Sequence, residues 1–222
     1  MKRIILVVSV LLITLTMAAC GGDSREKLYV LNWGEYIDPD LVATFEDEFD
    51  VNVVYQEVGS NEEMENKITT QAAPYDIVIP SDYMIDKMRQ QDMLQVIDYT
   101  KLTSLDEVSF MSEVTSLYEG KGYEDYLVPY FWGTFGIMYN LDSVEEVDLD
   151  GSWDVLFDPT TNYNVGMYDS SRDSVGAALL ALGYDINSNV NAELEEAEQL
   201  LIDGDYYIFG EDNLKGLVID GV

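Results

Sequence analysis

Strand-like and helix-like segments alternate along this chain, and that alternation limits the fold more than any other feature of the sequence. Compact apolar runs at residues 28–31, 51–55 and 76–79 predict strands. Between them, Asp38 before Pro39 predicts a helix start, and a Ser-Asn-Glu-Glu capping box at residues 60–63 predicts another. Such alternation, which continues with a helical pattern up to Gln90, implies an α/β fold with a parallel sheet covered by helices.

The part of the chain after residue 132 shows a second set of alternating segments. We expect strands at residues 136–140, 165–168 and 217–219. A helix should run from about Ser170 to the C′ glycine Gly183, and another helix should follow up to about residue 202. We therefore place a domain boundary between residues 132 and 133.

Charge and composition exclude several functions before any motif is considered. The 222 residues carry 43 acidic and 11 basic side chains, and the resulting net charge of −32 disfavours binding to nucleic acid or to an anionic membrane surface. The chain contains no histidine, which excludes a Ser–His–Asp triad and a His-ligated zinc ion. With a single cysteine, no intrachain disulfide can form.

The N-terminus has the pattern of a secretory signal. Lys2 and Arg3 precede an apolar stretch over residues 4–19, which is too short and wrongly flanked for a stable membrane span. Cys20 follows at the cleavage point, and its surroundings resemble the lipobox of bacterial lipoproteins, in which the cysteine is acylated. We expect residues 1–19 to be a signal peptide, residues 20–27 to be a tether, and the protein to be lipid-anchored on the outer face of the cell membrane. An ordinary signal peptide with an incidental cysteine is the alternative.

Two loops combine aromatic rings with carboxylates at the predicted carboxyl ends of strands, where open parallel sheets bind ligands. They are residues 32–36 and residues 80–83. An organic ammonium ion suits this combination, because ring faces attract the cation and carboxylates accept its N–H groups. The alternative from composition alone is that the rings are edges of the core and that acids such as Asp169 and Asp173 cap helices.

Three motifs occur together and in order: Asn-Trp-Gly-Glu-Tyr at residues 32–36, a Pro-Ser-Asp-Tyr segment within residues 79–88, and Val-Pro-Tyr-Phe-Trp-Gly-Thr at residues 128–134. With them, the chain resembles the spermidine/putrescine-binding proteins of bacterial polyamine ABC transporters. The resemblance implies a type II periplasmic-binding-protein fold, with two α/β domains at residues 28–132 and 133–222 around a cleft that closes on the ligand. Family members continue further, so the second domain and the return crossing are expected to be incomplete here.

The resemblance also assigns roles to individual residues. In the first loop, two aromatic residues resemble walls around the methylene chain of the ligand, and the glutamate resembles an acid near an amine terminus. The second loop resembles the facing polar and aromatic residues. In the second domain, Asp173 resembles an acid supplied by a helix start, with Asp169 as the alternative. The expected ligand-binding set is Trp33, Gly34, Glu35, Tyr36, Ser81, Asp82, Tyr83 and Asp173.

The function that the resemblance implies is binding rather than catalysis. The protein would be a monomer without a cofactor that captures spermidine or putrescine outside the cytoplasmic membrane and delivers it to an ABC permease. A sugar or an iron chelate is an alternative ligand within this class. From other classes, the alternatives are an exported glycoside hydrolase with paired carboxylates, which needs no histidine, and a non-transporting sensor or adhesion fragment.

Overall fold

The computed structural model describes residues 24–70, 74–107, 109–145 and 151–222. The predicted signal peptide and the predicted lipid-attachment residue Cys20 lie outside these residues. Two parallel sheets organise the described part of the chain, one with three strands and one with two. Within the same ranges, no helix combines the length and the apolar character that a membrane span requires.

The first sheet contains the three strands predicted in the N-terminal part. β1 (Glu26–Trp33) lies in the centre, between β2 (Val51–Val58) and β3 (Ile77–Val78), and both pairings are parallel. β1 begins inside residues 20–27, so the end of the expected tether is already a paired strand. The predicted parallel sheet is confirmed.

Three helices accompany this sheet: α1 (Pro39–Phe49), α2 (Asn61–Thr70) and α3 (Asp82–Gln90). α1 begins where the sequence predicts, because the Asp38 carboxylate accepts the N–H of Asp40 at 2.9 Å. Each helix follows a strand, so its N-terminus lies near the carboxyl end of that strand. The strand–helix loops therefore gather at one edge of the sheet.

Ser60 and Glu63 together satisfy two backbone donors at the start of α2. The Ser60 hydroxyl oxygen accepts the N–H of Glu63 at 3.1 Å, and the Glu63 carboxylate accepts the N–H of Gly59 at 3.0 Å. The second bond holds the pKa of Glu63 below its usual value. The predicted capping box is present, with the reciprocal bond made one residue before the N-cap.

Replacing Ser60 with Ala should lower the free energy of unfolding by about 1 kcal/mol, because the N–H of Glu63 loses its acceptor. Urea unfolding followed by circular dichroism measures the change. Ser60→Thr keeps a hydroxyl acceptor and is the matched control, with an expected loss of only a few tenths of a kcal/mol. Equal stabilities of the Ala and Thr variants would contradict the capping role.

One face of the first sheet packs against α2 and α3. Leu31 is fully buried, and three methionines, Met64, Met84 and Met88, surround it with at most 1% exposure. Trp33 lies on the same face two residues further along β1, because side chains alternate along a strand, and it packs against this cluster. The core therefore holds the carboxyl end of β1 in place.

The second sheet and its helices form a separate core. β4 (Gly166–Tyr168) pairs in parallel with β5 (Ile208–Gly210). The chain between the two sheets contains a short helix, α4 (Ser112–Thr115), and the helices that follow β4 are α5 (Ser171–Ala181) and α6 (Asn191–Asp203). The core residues of this part are Phe157, Met167, Ala177, Ala178, Leu179 and Ala197. The predicted strand at residues 165–168 and both predicted helices are confirmed.

α5 carries the end signals that the sequence indicates. The Ser170 hydroxyl oxygen accepts the N–H of Asp173 at 3.4 Å, which makes Ser170 the N-cap. At the other end, Gly183 has a φ of 77°, a conformation that glycine adopts without steric cost. These signals fix the position of Asp173 in the first turn of the helix.

Two predicted strands are wrong. Residues 217–219 belong to α7 (Asn213–Asp220), which ends at Gly221 in the left-handed conformation. Leu214, Leu217 and Val218 have helical spacing, and the short apolar run alone does not distinguish a strand from a helix. Residues 136–140 are not a strand either, because among the described residues no strand pairs with them. β5 was not predicted.

Candidate ligand-binding site

The carboxyl ends of β1 and β3 bring the two predicted loops together. The indole N–H of Trp33 donates to the carbonyl oxygen of Ile79 at 2.7 Å, which joins the end of β1 to the end of β3. The ring centroids of Trp33 and Tyr36 lie 6.2 Å apart, within the range of aromatic contacts. These contacts hold the two rings of the first loop as one aromatic wall.

The third motif, residues 128–134, extends this wall. The ring of Phe131 meets the ring of Tyr36 edge-on, with centroids 5.1 Å apart, and the Tyr130 hydroxyl donates to the backbone carbonyl oxygen of Tyr36. Phe131 is 64% exposed, so its ring is open to solvent on its other side. The first and third motifs of the sequence are therefore in direct contact.

Gly34 and Glu35 form the turn after Trp33. Glu35 has a φ of 58°, in the left-handed region, and its side chain is exposed. A Cβ atom at Gly34 would lie 2.8 Å from a carboxylate oxygen of Asp212 and 4.0 Å from one of Glu57. The missing side chain thus leaves room for the Asp212 carboxylate at the end of β1, and the charges of Asp212 and the nearby Glu57 make the local potential negative.

The second loop is fixed by a buried asparagine. The Asn61 side chain accepts the backbone N–H of Ser81 at 3.0 Å and donates to the Ser81 hydroxyl oxygen at 3.1 Å. The Asp82 carboxylate accepts the N–H of Tyr83 at 2.8 Å, and Asp82 is exposed. Ser81 and Asp82 therefore have defined positions at the start of α3, and the Ser81 hydroxyl proton is still available to a second acceptor.

Tyr83 faces the second sheet from the first. Burial raises the pKa of its hydroxyl to about 12, and the negative charges of Glu62 and Asp173 act in the same direction. The hydroxyl is buried, and among the described residues it makes no hydrogen bond of good geometry. The side chain of Asn61 is nevertheless close enough to lower the pKa of this hydroxyl slightly, against the effect of burial. The guanidinium of Arg172 lies over the ring, 5.4 Å from its centroid, a cation–π contact.

Replacing Tyr83 with Phe should reduce the loss of stability at alkaline pH. Between pH 10.0 and about 12 the unfolded tyrosine ionises while the folded one stays neutral, so the free energy of unfolding falls as the pH rises. Partial exposure of the tyrosine side chain keeps this effect to about 1 kcal/mol at pH 11. Urea unfolding at pH 8 and pH 11 measures it, and the variant at pH 8 is its own control. An identical pH dependence in the two proteins would contradict the burial of this hydroxyl.

Asp173, rather than Asp169, lines the space between the two sheets. Burial raises the pKa of Tyr168, and the carboxylates of Asp212, Asp173 and Glu211 raise it further. The negative charge of Asp173 raises the pKa of both Tyr168 and Tyr83, whereas the side chain of Asp169 is exposed. Acids from α5 and from the loop after β5 therefore converge on the carboxyl end of β4.

An open groove of about 2090 Å³ runs along these carboxyl ends and over a neighbouring face of the first sheet. Beside the groove, a helix of the first sheet contacts a helix of the second: the hydroxyl of Ser171 in α5 donates to the carboxylate of Glu62 in α2 at 2.9 Å. Most of the predicted binding residues line the groove, namely Trp33, Gly34, Tyr36, Ser81, Asp82, Tyr83 and Asp173. Glu35 is not among the lining residues, and its carboxylate pairs with Lys215 instead.

The prediction missed the residues that the loop after β5 contributes. Glu211, Asp212 and Lys215 line the groove, as does Tyr168 at the end of β4. The signal that could have found the two acids is the rule already used for β1 and β3, because Glu211 directly follows a parallel strand. The sequence does not predict β5, and Glu211 and Asp212 are therefore not among the predicted binding residues.

Residues 40–208 match the family described as bacterial extracellular solute-binding protein. The chain belongs to this family. The spermidine/putrescine-binding periplasmic protein of Escherichia coli K12 is 34% identical to this solute-binding protein over 186 residues, which cover 83% of this chain and 52% of that protein. The chain thus spans about half the length of the curated relatives that it matches.

Solved structures give the same result at the level of the fold. The TpPotD lipoprotein of Treponema pallidum superimposes with a TM-score of 0.75 at 30% identity, over 88% of this chain and 61% of that one. PotD, a spermidine/putrescine ABC transporter substrate-binding protein of Streptococcus pneumoniae, superimposes with a TM-score of 0.63 at 35% identity, over 89% of this chain and 60% of that one. The resemblance drawn from the three motifs and the expected periplasmic-binding-protein fold are confirmed.

Proposed function

We propose that this solute-binding protein captures a polyamine, spermidine or putrescine, outside the cytoplasmic membrane and delivers it to an ABC permease. The observation that carries the proposal is the meeting of aromatic rings and carboxylates from both sheets in one groove. The names of the relatives support the same ligand class, because the Escherichia coli protein is a spermidine/putrescine-binding protein. No bond is made or broken in this function.

The chemistry of the groove matches an aliphatic chain with a positive charge at each end. Trp33, Tyr36 and Tyr83 offer ring faces that cover methylene groups and attract ammonium ions, each such contact contributing about 0.5–2 kcal/mol. Asp173 and Glu211 offer acceptors for the ammonium N–H groups. The same carboxylates would repel an anionic ligand, which argues against an anion as the ligand of this groove.

Ligand capture would draw the two sheets together. The ligand-facing loops follow β1 and β3 on one side and β4 and β5 on the other, so a ligand that contacts both sides favours the closed arrangement. Gly34 supports this role, because a side chain there would collide with Asp212 on the opposing loop. The closed form would be the one that the permease recognises.

Attachment through Cys20 is part of the proposal. Acylation of this cysteine after removal of residues 1–19 would keep the protein, as a monomer, at the outer face of the cell membrane. Metabolic labelling of cells that express the protein tests the anchor. Cells grown with radiolabelled palmitate should label the wild-type protein and not Cys20→Ala, and a labelled Cys20→Ala protein would contradict lipid attachment through this residue.

Isothermal titration of the purified protein with matched ligands tests the function. Putrescine and spermidine should bind, butylamine should bind at least about tenfold more weakly because it lacks one charge, and 1,4-butanediol should not bind. The affinity for the diamine should fall as the salt concentration rises, because exposed charges are screened. Binding of the diol or of a sugar in place of putrescine would overturn the proposal.

A further inference from the structure

A lysine of this chain already occupies an acid pair beside the groove. The Lys215 Nζ atom lies 3.1 Å from a carboxylate oxygen of Glu35 and 3.0 Å from one of Asp212. Glu35 belongs to the loop after β1, and Asp212 belongs to the loop after β5, so the ammonium group bridges the two sides of the groove. An alkyl ammonium ion between two carboxylates is the arrangement that a polyamine terminus would also adopt.

Arg172, the other basic residue lining the described part of the groove, is held differently. Its guanidinium donates to the carbonyl oxygen of Ile186 at 3.1 Å and to the side-chain oxygen of Asn187, and it lies over the ring of Tyr83. Those acceptors belong to the loop after α5 and keep the arginine in place. Lys215 has no such neutral anchor within the described part of the chain, where both of its acceptors are acids.

Another cation can readily replace Lys215 between Glu35 and Asp212. The side chain of Lys215 is 56% exposed, and those of Glu35 and Asp212 are 73% and 45% exposed. Exposed ion pairs of this kind contribute little to stability, and a flexible lysine can swing into water when another cation takes its place. A competing ammonium ion therefore meets a small barrier at this position.

We propose that Lys215 is a specificity-determining residue that occupies one ammonium position of the groove and thereby favours diamines over triamines. The inference rests on the proposed function. While Lys215 holds Glu35 and Asp212, the third ammonium group of a triamine has to displace Lys215 from this acid pair, and it adds a positive charge near an existing one. A diamine that uses the remaining acids is not affected in this way.

Lys215→Met tests the inference by titration of the purified protein with putrescine and spermidine. We expect the affinity for spermidine to rise by about two- to fivefold relative to that for putrescine, because Glu35 and Asp212 become free for the third ammonium group. Lys101→Met is the matched control, since Lys101 also pairs with an acid three residues earlier, Asp98 at 3.5 Å, but does not line the groove. The control should leave the ratio of affinities unchanged.

A second variant distinguishes competition from a general charge effect. Adding Glu35→Gln to Lys215→Met removes one acid of the freed pair and should return the ratio towards that of the wild-type protein. An unchanged ratio in Lys215→Met, or equal gains for both ligands, would overturn the inference while leaving polyamine binding intact. If the wild-type protein binds neither amine, the proposed function fails and this inference fails with it.

Discussion

Asp173→Asn is expected to weaken binding of putrescine by about ten- to a hundredfold, because an ammonium ion loses its charged acceptor while the shape of the side chain is kept. Asp173 lines the groove, and its negative charge raises the pKa of both Tyr83 and Tyr168, so it is close to aromatic residues on both sides of the groove. Isothermal titration at low salt measures the loss. The variant also removes an acid from the first turn of α5, which lowers the free energy of unfolding by only about 0.5–1 kcal/mol.

Asp169→Asn is the matched control for this experiment. It removes the same charge four residues earlier in the chain, but its exposed side chain does not line the groove. Its affinity should stay within about a factor of two of the wild-type value, since only a screened, long-range attraction is lost. A large loss of affinity in Asp169→Asn together with a small loss of affinity in Asp173→Asn would show that the ligand lies on the other side of the helix start.

The parts of the fold that the sequence predicts are those with short-range causes. Asp38 and Ser60 accept hydrogen bonds from residues two and three positions later, and Gly183 supplies a backbone conformation at its own position. The strands of the first sheet carry apolar runs of their own. Such causes act within a few residues, so a single sequence contains all the information they need.

The parts of the fold and of the site that the sequence does not predict depend on residues that are distant in sequence. Whether residues 136–140 form a strand depends on a neighbouring strand, and no apolar pattern within the segment supplies one. In the same way, the position of the Asp212 carboxylate depends on Gly34, far earlier in the chain, which leaves room for it. The pairing of Glu35 with Lys215 joins the two ends of the described chain and has no local signal.

The choice between Asp169 and Asp173 shows where the two kinds of information meet. The sequence identifies a helix start with an acid on either side of it, and both acids suit the charge of the ligand. Ser170 accepts the N–H of Asp173, which puts Asp173 inside the first turn, and the packing of α5 on its sheet turns that position towards the groove. Local capping thus fixes the register, and tertiary packing decides which acid lines the groove.

Trp33→Ala is expected to lower the affinity for putrescine by at least about tenfold and the free energy of unfolding by about 3 kcal/mol. The ring forms part of the aromatic wall, packs on the core beneath β1, and joins β1 to β3 through its bond to Ile79. Removing it therefore takes away a ligand contact and the support of the loop that carries Glu35. Calorimetric titration and urea unfolding measure the two losses separately.

Trp33→Phe separates the ligand contact from the support. It keeps an aromatic face but removes the indole N–H, so the bond to Ile79 is lost and the affinity should fall by only about threefold. Trp153→Phe is the control, because Trp153 packs against the core of the second sheet and stacks on Phe135 with ring centroids 4.8 Å apart, and it is not part of the wall formed by Trp33 and Tyr36. Ligand-induced quenching of tryptophan fluorescence should persist in Trp153→Phe and largely vanish in Trp33→Phe. Full affinity in a folded Trp33→Ala protein would contradict the role of Trp33 in the aromatic wall.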